Sequence, residues 1–111
     1  MLYKFKSKAT GDLIMLEPNG RRVLEIIGKA VASNQPPQGI VLPEEMPAAQ
    51  AALAAAIVHE EAARAKAVAD ALARHEAAPR FEAVSLRQRA QPFLDMLRRC
   101  EKEKHPIVWG V

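Results

Sequence analysis

Three histidines, one cysteine and several adjacent carboxylates are the residues of this chain from which chemistry could start. His59-Glu60 opens like the helix motif of a zinc protease, where two imidazoles one turn apart hold the metal and the glutamate acts as base. Position 63 is alanine where the second imidazole is required, so the pair cannot hold zinc in that manner. His59, His75 and His105 are too scattered to form a ligand set on one element. Cys100 would need a neighbouring base and solvent access to serve as a nucleophile. Its place beside Phe93 and Leu97 on an apolar helix face reads instead as a small buried hydrophobe. Glu44-Glu45 and Glu60-Glu61 are neighbours on a helix and point about 100° apart, the wrong geometry for shared acid–base work on one substrate. No catalytic, cofactor-binding or metal-binding set is expected, and the chain reads as non-enzymatic.

The basic residues are the remaining chemical signal. Asn19-Gly20-Arg21-Arg22 lies at the expected start of a helix, where cations oppose the helix dipole by ~0.3–1 kcal/mol. An incoming phosphate or carboxylate would reverse that cost by using both the exposed N–H groups and the guanidiniums. Lys4, Lys6 and Lys8 form a ladder on one side of an alternating strand, and Arg87, Arg98 and Lys102 add a stripe on the last helix. Such a surface could meet a nucleic-acid backbone. No aromatic residue is interleaved on the lysine side for base stacking, however, and alternating lysine also keeps an exposed strand from pairing with another molecule. The net charge of +3 and pI near 9.3 are too small to argue for nucleic acid. Anion or nucleic-acid contact through Lys4, Lys6, Lys8, Arg21 and Arg22 is therefore the alternative reading.

The elements that must carry these residues follow from periodicity. Tyr3, Phe5, Ser7 and Ala9 alternate with Lys4, Lys6 and Lys8, a period of two that marks a half-buried strand. Thr10-Gly11-Asp12 supplies the turn, and Leu13-Ile14-Met15-Leu16 makes a second strand that is apolar on both faces. Residues 3–17 thus predict a β-hairpin, with its second strand inside the sheet and its first nearer an edge. Residues 21–28 predict a short helix ending at Gly28, and residues 29–43 a connector in which Ile40-Val41-Leu42 reads equally as strand or packed loop.

From Pro43 the composition changes. Proline and two acids mark a helix start, and between Ala48 and Ala78, 16 of 31 residues are alanine, the strongest helix former and the one with least packing volume. Residues 44–78 predict a long Ala-rich helix whose seam, Met46, Leu53, Ile57, Val68 and Leu72, spans about 100° of its circumference. Glu61 and Arg64 interrupt that seam, so it either leaves the core or pairs charges across an interface. Ser85-Leu86-Arg87-Gln88 is a capping-box signature for a helix over 85–104, with Leu86, Ala90, Phe93, Leu94, Leu97 and Cys100 on one face and Met96 at its border. Residues 107–111, Ile-Val-Trp-Gly-Val, predict a terminal strand. The Ala-rich helix would be about 50 Å long and its neighbour about 30 Å, so the longer one is expected to break around His59 to Ala62 or to overhang and pack on another subunit.

The expected architecture is a single α+β domain. A three- or four-stranded, mostly antiparallel sheet from the hairpin and the terminal strand is covered on one face by helices. Trp109, Phe93, Phe5 and Leu16 should contribute to its core, and the lysine side of the first strand should stay wet.

Tyr3-Lys4-Phe5-Lys6-Ser7-Lys8-Ala9-Thr10-Gly11-Asp12 with Ile14-Met15-Leu16, Met46-Pro47-Ala48-Ala49, Ser85-Leu86-Arg87-Gln88-Arg89-Ala90 and the ending Val108-Trp109-Gly110-Val111 resemble short proteobacterial proteins grouped as domain of unknown function 1840. The resemblance spans nearly the whole chain. It implies a small, soluble bacterial protein and carries no functional residue, cofactor or partner across.

The function expected from the residues is that of a protein-interaction or structural module. It would self-associate or dock a partner helix through Leu53, Ile57, Glu61, Arg64 and Val68, with alanine permitting close helix approach. The expected partner is a second copy or another protein rather than a membrane. No run approaches the roughly 20 apolar residues needed to cross a bilayer, lysines interrupt the N-terminus, and one cysteine fits a reducing compartment. Cytoplasmic location is expected.

Overall fold

The computed structural model describes residues 2–31, 37–81 and 84–110. The proline-containing middle of the expected connector, residues 32–36, and Val111 of the expected terminal strand lie outside them. The elements run β1 (Leu2–Phe5), β2 (Leu13–Leu16), α1 (Glu17–Ile26), β3 (Gly39–Val41), a 3₁₀ turn (Pro43–Glu45), α2 (Met46–Ala73), α3 (Leu86–Glu103) and β4 (Ile107–Trp109). The fold is α+β.

The strands form two antiparallel pairs. β1 and β2 set Leu2 opposite Leu16, Tyr3 opposite Met15, Lys4 opposite Ile14 and Phe5 opposite Leu13. β3 and β4 set Gly39 opposite Trp109, Ile40 opposite Val108 and Val41 opposite Ile107. An antiparallel bridge joins the pairs: the Lys6 N–H donates to the Val108 carbonyl at 2.8 Å, and the Val108 N–H donates to the Lys6 carbonyl at 2.9 Å. The spatial order is therefore β2-β1-β4-β3. β1 is interior and β2 is an edge, the reverse of the order expected from their hydrophobicity. The expected 3–9 strand ends at Phe5 apart from this bridge, and Ile40 and Val41, left open by the sequence, belong to a strand.

One face of these strands is buried. Tyr3, Phe5, Met15, Val41, Ile107 and Trp109 meet Val23 and Leu24 of α1, Met46, Leu53 and Ile57 of α2, and the apolar face of α3. Phe5 is at the centre, edge-on to Phe93 at 4.9 Å and to Trp109 at 5.6 Å between ring centroids. Edge-to-face geometry lets the positive ring edge meet the negative ring face. Leu16, expected in this core, points the other way and is exposed. The cause is its register: it faces Leu2, on the side of β1 opposite Tyr3 and Phe5.

Helix ends account for the other departures. α1 starts at Glu17 rather than Arg21, because Pro18 in its first turn has no N–H to lose and Glu17 suits the positive end of the dipole. α1 then crosses the hairpin at Gly20, where a Cβ would overlap the Tyr3 ring. α2 is continuous through His59 to Ala62 and ends at Ala73, five residues before the expected limit. There His75 takes a left-handed φ of 58°, its N–H donates to the Leu72 carbonyl at 3.0 Å, and the Glu76 N–H donates to the Ala71 carbonyl at 2.8 Å. The same Schellman pattern closes α1 at Gly28, with Lys29 N–H to Leu24, and α3 at Lys104, with His105 N–H to Cys100. α3 begins as read, with the Ser85 Oγ accepting from the Gln88 N–H and the Gln88 side chain accepting from the Ser85 N–H.

α2 and α3 lie antiparallel. Gln50 Nε2 donates to Glu101 at 2.7 Å near one end, and the Leu86 N–H donates to Glu60 at 3.3 Å near the other. α3 has run out by Glu60, so the last three turns of α2 overhang. That is why Met46, Leu53 and Ile57 of the expected seam are buried while Val68 and Leu72 are exposed.

Candidate functional site

Alternation along β1 and β2 puts Leu2, Lys4, Ile14 and Leu16 on the side away from the helices. Residues directly opposite one another share a side, so Lys6, Val108 and Ile40 continue the same surface across the bridge. On it Leu2, Ile14, Leu16 and Ile40 are 57%, 56%, 62% and 40% exposed. Among the described residues β2 pairs with β1 alone, and its four residues carry no proline or charge. Edge strands are usually blunted by such residues, and large exposed apolar clusters on small proteins mark interaction surfaces.

The basic residues do not assemble on one surface. Lys4 and Lys6 belong to the outer side, where Lys4 pairs with Asp12 at 3.6 Å and Lys6 lines a shallow groove with Lys8, His105, Pro106 and Val108. Arg21 and Arg22 ride on α1, which packs over Tyr3 on the opposite side of the hairpin. Because α1 starts four residues earlier than expected, neither arginine sits at its N-terminus. Arg21 instead lies between Glu17 at 3.8 Å and Glu25 at 3.5 Å and donates to the Val31 carbonyl at 3.3 Å. Arg22 reaches Glu60 of α2 at 3.2 Å.

The residues expected at a helix interface divide between core and surface. Leu53 and Ile57 are buried inside the chain's own core and cannot meet a partner. Glu61 receives both Nε and Nη2 of Arg87, at 3.0 and 2.8 Å, so the charge in the seam is matched by α3 of the same chain. This fork holds the Glu61 carboxyl below the usual carboxylate range and raises the Arg87 guanidinium, in each case chiefly through the hydrogen bonds between them. Arg64 pairs with Glu60 at 2.8 Å, and its guanidinium lies 5.0 Å from the centre of the Phe81 ring. Val68 is left on the exposed overhang with Leu72. Cys100 is fully buried, as its place on the helix face implied, with Sγ 3.2 Å from Ser7 Oγ.

Two groupings could not be read from spacing. Glu60 gathers Arg22, Arg64 and the Leu86 N–H from three helices, and Arg89 Nη1 donates to Asn19 Oδ1 at 2.6 Å across 70 positions of sequence. The one local clue was the Glu60/Arg64 pair at i,i+4. Among the described residues no three His, Cys, Asp or Glu side chains gather as metal ligands, and no helix is long and apolar enough to cross a membrane.

A family model described as Domain of unknown function (DUF1840) matches residues 1–109. No curated protein and no solved structure matches the chain.

Proposed function

The chain belongs to the DUF1840 family, and from its surfaces we propose that it is a non-enzymatic interaction module that self-associates through the outer side of its sheet. The observation that carries this reading is the cluster of Leu2, Ile14 and Leu16 beside the unprotected edge of β2, on the same side of the sheet as Ile40. A second copy is the occupant that suits it. Two β2 edges related by a twofold axis run antiparallel, so each satisfies the other's outward N–H and C=O groups and the apolar surfaces become continuous. The interaction surface thus moves from the Ala-rich helix to the sheet, because α3 already occupies the seam at Leu53 and Ile57.

Molar mass by light scattering at low and high salt tests this. The expected result is a salt-resistant dimer that Ile14→Lys together with Leu16→Lys converts to a monomer with an unchanged circular-dichroism spectrum. A wild-type monomer at the highest workable concentration, or a dimer indifferent to both substitutions, overturns it.

A further inference from the structure

α1, α2 and α3 leave between them an open cleft of about 510 Å³. Each helix sends one arginine into it: Arg22, Arg64 and Arg89. Within its described lining Glu60 is the carboxylate, and it is shared by Arg22 and Arg64, which leaves these three groups one net positive charge. The guanidiniums are held in place rather than trailing in solvent. Glu60 receives one nitrogen each from Arg22 and Arg64, at 3.2 and 2.8 Å, and Asn19 receives Arg89 at 2.6 Å. A guanidinium has five N–H donors in a planar fork, so one nitrogen committed to Glu60 leaves Arg22 and Arg64 further donors for an oxyanion. Pro18 and Asn19, in the first turn of α1, and Leu86, the first residue of α3, also line the cleft, adding the positive ends of two helix dipoles. Leu16 and Leu86 give it an apolar wall, and Phe81 stacks against Arg64 beside it.

We propose that this cleft binds the phosphate group of a small phosphomonoester. A phosphomonoester carries about −1.5 to −2 charges at neutral pH, and its three oxygens suit the convergent guanidinium forks of Arg22 and Arg64. The apolar wall accommodates the organic part. The site goes beyond the self-association reading; it shares Leu16 with that surface, but it rests on Arg22 and Arg64 and is read by phosphate binding rather than molar mass, so it stands or falls separately. It also differs from an anion site at Arg21 and Arg22, since Arg21 is held between Glu17 and Glu25 and takes no part.

Titration calorimetry of the full chain with inorganic phosphate and with phenyl phosphate, at fixed ionic strength in chloride, tests the proposal. Saturable one-to-one binding is expected, tighter for phenyl phosphate and, for that ester, strengthening as pH rises through about 6, where its second phosphate proton leaves. Arg22→Gln should weaken it about tenfold. Arg22 is exposed, so this variant should keep its thermal midpoint, and an unchanged midpoint separates lost binding from lost folding. Arg99→Gln, on the far part of α3, should bind like wild type. Absence of saturable binding, or equal affinity in wild type, Arg22→Gln and Arg64→Gln, overturns the proposal.

Discussion

At the scale of single residues, Tyr3 is packed tightly under Gly20. α1 approaches β1 so closely that a methyl group on Gly20 would occupy ring positions of Tyr3. Gly20→Ala sets two effects against each other. Alanine improves helix propensity by ~1 kcal/mol, whereas forcing volume into a packed core costs ~1–3 kcal/mol. The ring is buried and has little room to move, so the second effect should win, and urea denaturation should show a lower midpoint for Gly20→Ala. Lys104 presents the opposite case. It holds a φ of 59° at the end of α3, a conformation that brings Cβ against the backbone for any residue but glycine. Lys104→Gly should therefore raise the unfolding free energy by ~1 kcal/mol, visible as a higher denaturation midpoint. The equivalent residue of α1 is already glycine, Gly28.

At the scale of elements, α2 and α3 are clamped by the Glu61–Arg87 fork, and the α1–α2 connection is tied by Glu45, which accepts from Lys29 Nζ at 2.8 Å and from the Leu42 N–H at 2.9 Å. Both carboxyls are held below their ordinary value, Glu45 chiefly by the Lys29 hydrogen bond. A carboxylate whose folded value is depressed adds stability above its unfolded value of about 4.3 and loses it as pH falls through the lower folded value. The thermal midpoint should accordingly fall on acidification below that pH, and the fall should be shallower in Glu61→Gln combined with Glu45→Gln. Parallel acid limbs in the two proteins would show that these pairs do not respond to folding. Contacts of this kind were not legible in the sequence, because spacing reports neighbours on one element and these partners come from different ones. Local signals fared better. Ser85 and Gln88 announced their capping box, the face from Leu86 to Cys100 announced its burial, and Ile107 to Trp109 announced a strand. Leu13 to Leu16 misled because apolarity on both faces records an affinity for burial without naming what supplies it. Here helices cover Met15, whereas Ile14 and Leu16 stay exposed. The end of α2 was equally hidden, since it depends on His75 accepting a left-handed backbone that alanine-rich propensity would have carried past.

At the scale of the whole molecule, extents of 52 × 32 × 21 Å reflect a helix of ~42 Å beside one of ~27 Å. Mass is drawn out along α2, and among the described residues the outer side of the sheet keeps Leu2, Ile14, Leu16 and Ile40 exposed. If two copies share that side, unfolding is linked to dissociation, and the midpoint must rise with protein concentration. Differential scanning over a wide concentration range should show this rise in wild type and a flat response in the Ile14→Lys, Leu16→Lys variant. The single thiol extends such measurements to events short of global unfolding. Cys100 is wedged between α3 and the chain after β1, in contact with Ser7, and no reagent can reach it while that junction is closed. Its rate of labelling by a thiol-specific dye therefore counts how often α3 lifts from β1, since a buried group reacts only from the open form. The chain thus contains a built-in clock for its own core, readable without any substitution.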